Sequence, residues 1–139
     1  MFVGEFLQKK ATTIRHPSAP TSLDALSMSG SRSSVGVTIA GVGDYQIEYK
    51  LYIPSTLTGV AMYVEYNATF YYGTSSRSIS DSTTVTASLA DYKTIVSDRD
   101  ASLVGGTISA TVYAYGLTKS FYVEVGELSG GGGATAASS

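Results

Sequence analysis

Few side chains in this chain could do chemistry. There is one histidine, His16, and no cysteine among 139 residues. A zinc or iron–sulfur centre therefore has no ordinary ligand set, and a Ser-His-Asp hydrolase would have to rely on His16. His16 lies beside Pro17 and near Pro20, in a stretch that suits contact better than catalysis. Asp91, Asp98 and Asp100 form the main acidic cluster. Such oxygens could hold a calcium ion at the end of a β-sandwich, but a polar turn with Arg99 neutralising its neighbours is favoured, because a calcium loop normally shows more acidic positions and a bidentate Glu. Gly41-Val42-Gly43 and Gly105-Gly106 sit beside strand-like runs without opening a helix, so neither reads as a phosphate cradle. Asn67-Ala68-Thr69 matches a glycosylation triplet inside a strand-like run, where no glycan is expected. The reading is no catalytic residue, no metal site and no cofactor.

The distinctive chemistry is that of tyrosine, present 11 times. A tyrosine offers a large apolar ring and a hydroxyl at low entropy cost, so it serves cross-strand packing and contact surfaces alike. Tyr63, Tyr113, Tyr115 and Tyr122 fall near or off the apolar side of their runs. They are the candidate contact surface, suited to a protein partner or a host-surface glycan.

The elements that must position these tyrosines follow from a period of two. Ile108, Ala110, Val112 and Ala114 share one side of one run, and Phe121, Val123 and Val125 one side of the next. Gly116 between them can take the positive φ of a tight hairpin. Tyr45, Ile47, Tyr49, Leu51 and Ile53 alternate in the same way, as do Val60, Met62, Val64 and Tyr66. Strands are expected at about 34–40, 45–53, 59–66, 67–72, 83–89, 107–115 and 119–125, with a bulge near Asn67. Gly73 to Ser82 reads as a polar loop, and Ala90 to Asp100 as either a helical turn or a short strand. No convincing helix separates the strands, which disfavours a βαβ plan. The expected architecture is an all-β, immunoglobulin-like Greek-key β-sandwich of about seven strands with an extended N-terminal arm, the alternative being a jelly roll.

Three regions result. Residues 1–33 read as an arm and linker, 34–126 as the sandwich, and 127–139 as a Gly/Ala/Ser-rich tail. Phe2, Val3, Phe6, Leu7, Lys9, Lys10 and Arg15 give the arm an apolar cluster followed by positive charge, which suits docking on a neighbouring subunit. The N-terminus is apolar before it is basic, the reverse of a secretion signal. Nine basic and 11 acidic residues give a net charge of −2, with no general attraction to nucleic acid or anionic lipid. No run of 18 apolar residues reads as a membrane span. Charged residues make up only 14 %, so the surface must rest on Ser, Thr, Gly and Tyr.

Gly105-Gly106-Thr107-Ile108-Ser109-Ala110-Thr111-Val112, then Gly116-Leu117-Thr118, then Ser120-Phe121-Tyr122-Val123-Glu124-Val125 resembles the last strands of bacterial immunoglobulin-like (Big-type) domains. The likeness covers about residues 83–125. Such domains occur in phage virion proteins (capsid decorations, head fibres, tail proteins) and in bacterial surface adhesins. The resemblance implies a binding or structural module and carries no catalytic residues. With the arm and the absence of a signal, it favours a virion part that joins other virion or fibre subunits and self-associates as a homo-oligomer. The alternative is a bacterial cell-surface or pilus-like module built by strand addition.

Overall fold

The computed structural model describes residues 19–37 and 43–127. Seven strands alternate inward apolar and outward polar side chains: β1 Ser27–Val37, β2 Gly43–Ile53, β3 Met62–Tyr71, β4 Ser76–Val85, β5 Asp91–Asp100, β6 Gly105–Ala114 and β7 Leu117–Gly126. A 3-10 turn, Ser55–Leu57, follows Pro54, which has no N–H to continue a ladder. All pairing is antiparallel. One sheet has the order β1-β2-β5 and the other β4-β3-β6-β7. The two pack face to face as an immunoglobulin-like sandwich. β4 pairs with β3 rather than with β5, which leaves three strands in one sheet and four in the other.

The inner faces are those the alternation predicts. Ile47, Tyr49, Leu51 and Ile53 on β2 meet Met62, Val64, Ala68 and Phe70 on β3 and Ile108, Val112, Phe121 and Val123 on β6 and β7. Fully burying one such aliphatic side chain contributes about 1.5–3 kcal/mol, so this seam carries most of the stability. Tyr49 lies at its centre, its ring 6.2 Å from that of Phe70. Its hydroxyl points at Gly106, where an added Cβ would come within 3.0 Å of it and 2.7 Å of the Thr69 carbonyl. At Gly30 a Cβ would meet Val125 Cγ2 at 2.5 Å and the Tyr49 ring at 2.7 Å, so β1 can lie against β7 only without a side chain there.

Several expectations need correction. The sandwich does not begin at residue 34. β1 starts at Ser27, and Leu23, Leu26 and Met28 are buried in the core. The Ser/Gly run that resembled a linker is an edge strand whose outward positions are serines. The runs at 59–66 and 67–72 are one strand, β3, in unbroken register through Asn67. Gly73 to Ser82 is mostly strand: of the β4 side chains on the core side, only Ile79 and Val85 are apolar, so its composition hid it. The strand expected at 83–89 ends at Val85, and Leu89 is 66 % exposed in the connection to β5. Ala90 to Asp100 is strand from Asp91, with an extra residue, Ile95, between the partners of Tyr49 and Lys50. That bulge shifts the alternation by one and masks its period.

The sandwich has two distinct ends. Ser27, Pro54 to Ala61, Thr86 to Ala90 and the β6–β7 turn lie at one. Residues 72–75, 101–104 and Gly126 lie at the other. The described chain therefore enters at one end and leaves at the opposite one.

Candidate functional site

The outer face of the four-stranded sheet is the most organised surface among the described residues. Its strands pair without a register shift, so outward side chains line up in rows across β4, β3, β6 and β7. The rows read Thr84-Tyr63-Tyr113-Thr118, Ser82-Glu65-Thr111-Ser120, Ser80-Asn67-Ser109-Tyr122 and Ser78-Thr69-Thr107-Glu124. None of these positions holds a lysine or arginine. Hydroxyls dominate, two carboxylates stand among them, and tyrosines occupy two rows.

These groups brace one another across the strands. Thr69 and Ser78 hydroxyls lie 2.9 Å apart, and those of Thr111 and Ser120 3.1 Å apart. The Ser80 hydroxyl donates to the Asn67 side-chain oxygen. Tyr122 donates to Glu124 Oε2 at 2.7 Å, and Tyr113 donates to Glu65. Those carboxylate partners raise both phenol pKa values above the ordinary 10.0, so both tyrosines remain neutral donors at physiological pH. The sheet curves around an open trough of about 690 Å³, lined by Tyr63, Glu65, Asn67, Ser80, Ser82, Ser109, Thr111, Ser120 and Tyr122.

The four candidate contact tyrosines are all exposed: Tyr63 43 %, Tyr113 38 %, Tyr115 59 % and Tyr122 41 %. Tyr63 and Tyr113 face each other across β3 and β6, with ring centres 6.1 Å apart. Tyr122 lies at the far side of the trough. Tyr115 stands apart, at the tip of the β6–β7 hairpin. Ala114 pairs with Leu117 across a two-residue turn in which Tyr115 has φ 52° and Gly116 φ 77°. Both positive angles define the primed turn that matches strand twist. Gly116 adopts its angle freely, while Tyr115 accepts a strained one at a cost of about 1 kcal/mol.

Sequence reading named the tyrosines but missed the serines of β4 that form one wall of the trough. Recognising Ser76–Val85 as an edge strand would have supplied them: its polar residues alternate with Ile79 and Val85.

The assembly-arm residues Phe2, Val3, Phe6, Leu7, Lys9, Lys10 and Arg15, and His16, lie outside the described residues. So does the tail beyond Glu127. The acidic cluster is dispersed into other work. Asp91 sits 3.7 Å from Lys93. Asp98 accepts from the Tyr72 hydroxyl and lies 3.1 Å from Arg77 Nη2, bridging the two sheets. Asp100 accepts from the Ser102 N–H at 2.8 Å. The expected polar turn at Asp98-Arg99-Asp100 is instead strand, and Arg99 pairs with Asp44 at 3.0 Å rather than with its neighbours. Among the described residues no three His, Cys, Asp or Glu side chains are placed to hold a metal ion, and no helix is long and apolar enough to cross a membrane. Compared with known proteins, the chain is matched by no family model, no curated protein and no solved structure.

Proposed function

We propose that this chain is a non-enzymatic structural protein of a phage particle, a capsid decoration, head-fibre or tail component, that attaches through the segment preceding Ala19 and projects its sandwich outward. The observation that carries the reading is the polarity of the fold. The chain enters the sandwich at the end bearing Tyr63, Tyr113 and Tyr115 and leaves at the other. A module held by its N-terminal segment would thus present a fixed end to its support and its long faces to the surroundings. The outer face of the four-stranded sheet supplies a broad contact surface of hydroxyls and aromatic rings, a composition suited to recognition.

The test is the solution mass by light scattering of the full chain and of a chain lacking residues 1–18. That deletion spares Leu23 and Leu26, which the core requires. Assemblies larger than a dimer are expected from the full chain and lost on deletion, with the thermal transition kept. An unchanged mass distribution would count against attachment through this segment.

A further inference from the structure

An antiparallel sheet must do something with its edges, because each edge strand presents unpaired N–H and C=O groups to any other chain. Three of the four edges here carry an evident guard. On β1, Gly36 is inserted between the partners of Asp44 and Gly43. On β5, Ile95 is inserted opposite Tyr49 and Lys50. β7 carries Lys119, which reaches Asp24 at 3.8 Å, and β1 packs against its Val125. The fourth edge, β4, has no bulge, lysine or covering strand, and its charges are one of each sign, Arg77 and Asp81. All ten of its residues pair with β3 in unbroken register, with no proline, lysine or bulge.

We infer that the outer edge of β4 pairs with β4 of a second copy of this chain, across a two-fold axis at Ile79. The choice of partner follows from the sequence of the edge. In an antiparallel self-pair centred on Ile79, Arg77 of each copy falls opposite Asp81 of the other, and Ser78 opposite Ser80. Arg77, Ile79 and Asp81 share the side of the strand opposite the serine grid, since Ser78 and Ser80 lie in the outer rows. The two Arg–Asp pairs then flank an Ile–Ile contact. Each element fits a partner. Arg77 and Asp81 are both exposed on the strand, and among the described residues no cation pairs with Asp81. Ile79 is half-buried against the core and would be covered from the open side. Arg77 already lies 3.1 Å from Asp98, and its planar guanidinium can serve a second carboxylate. The product is a continuous eight-stranded sheet carrying two copies of the hydroxyl grid on one surface. An interface of this kind is isologous and closes after two copies. It depends on the sandwich alone, not on how the chain is attached to a support.

The test uses the full chain and charge reversal. Sedimentation across a concentration series is expected to show a reversible dimer as the smallest associated species, the larger assemblies of the full chain being built from it and the dimer persisting when residues 1–18 are removed. Arg77→Asp and Asp81→Arg each place like charges opposite one another twice per dimer, and each is expected to weaken association at least about tenfold. The double variant restores both pairs in reversed sense and is expected to return to within about threefold of the parent. Thermal melting checks that each variant is folded, Arg77→Asp above all because it also breaks the contact with Asp98. A second measurement avoids that side chain. The chain has no cysteine. In Ile79→Cys the two thiols face each other at a Cα separation of about 4.5–5.5 Å, within disulfide reach, whereas Val85→Cys places them far apart. Under oxidised glutathione, Ile79→Cys is expected to cross-link and Val85→Cys is not. A monomeric parent chain, reversals without effect, or equal cross-linking at both positions would overturn the inference. Loss of the dimer on removing residues 1–18 would assign the edge to that segment and overturn it as well.

Discussion

The two sheets solve the same burial problem and present opposite outsides. The three-stranded sheet is irregular: two of its strands carry an extra residue, and its outer face holds ion pairs. Lys50 lies 3.7 Å from Glu48 and Arg99 3.0 Å from Asp44. The four-stranded sheet is regular along all three ladders, and its outer rows hold hydroxyls and carboxylates without a cation. A low overall charge is therefore not spread evenly. Positive charge collects on the bulged sheet, which leaves the flat one free to keep its rows in line. Regular pairing makes a patterned surface possible, and the irregular sheet is where the chain departs from pattern.

The seam between the sheets is where that contrast can be broken most severely. Gly30→Ala drives a methyl into Val125 and the Tyr49 ring, and is expected to lower stability by about 2 kcal/mol in urea denaturation. The three-stranded sheet would lose its fit on β7, while the ladders of the other sheet contain no atom of Gly30.

Alkali tests the same seam with a smaller effect. Burial raises the Tyr49 phenol well above its ordinary 10.0, and burial also raises Tyr66 and Tyr72. The folded chain thus keeps protons that the unfolded chain releases. Their stabilisation is fully present below pH 10 and is lost as pH rises beyond it toward the folded-state values. Urea midpoints measured from pH 7 to pH 11 are expected to hold below pH 10 and fall above it. Tyr49→Phe should make that fall shallower. At neutral pH it should cost little, because the Tyr49 hydroxyl is buried and finds no hydrogen-bond partner among the described residues.

The smallest effects sharpen the comparison of the two outer faces. Each face has one cross-strand ring pair: Tyr63 with Tyr113 at 6.1 Å, and Tyr52 with Tyr92 at 4.8 Å. Double-mutant cycles are expected to give about 0.5–1.5 kcal/mol of coupling for each, the closer pair giving more. A cycle on Glu48 and Lys50 should give less than about 0.5 kcal/mol, because both side chains are well solvated. Ion-pair coupling as large as the ring coupling would contradict the view that these charges shape the surface more than they stabilise it.

The parts legible in the sequence were those where one face is apolar and the other polar without interruption. β2, β6, β7 and the first half of β3 meet that condition, and the sides on which Tyr49, Tyr63, Tyr66, Tyr113 and Tyr122 fall followed from it, as did the positive φ at Gly116. The rest was hidden for identifiable reasons. β1 and β4 are edge strands built largely from serine, and few of their side chains enter the core, so little apolar period remains. β5 loses its phase at Ile95, where two neighbours cross one position of β2. The trough escaped notice because one wall belongs to β4, and no spacing rule brings Ser80 and Ser82 beside Glu65 and Asn67 until that strand is recognised.

The opposed ends of the sandwich also determine how it bears load. A pull between Ala19 and Glu127 runs nearly parallel to the strands, because β1 starts at one end and β7 finishes at the other. Such a force does not peel β1 from β2 one hydrogen bond at a time. It shears the ladder from Ser27 opposite Tyr52 to Val37 opposite Gly43 along its whole length, so many bonds must fail together. The same geometry that sets entry and exit at opposite ends makes the sandwich resist a pull along its strands.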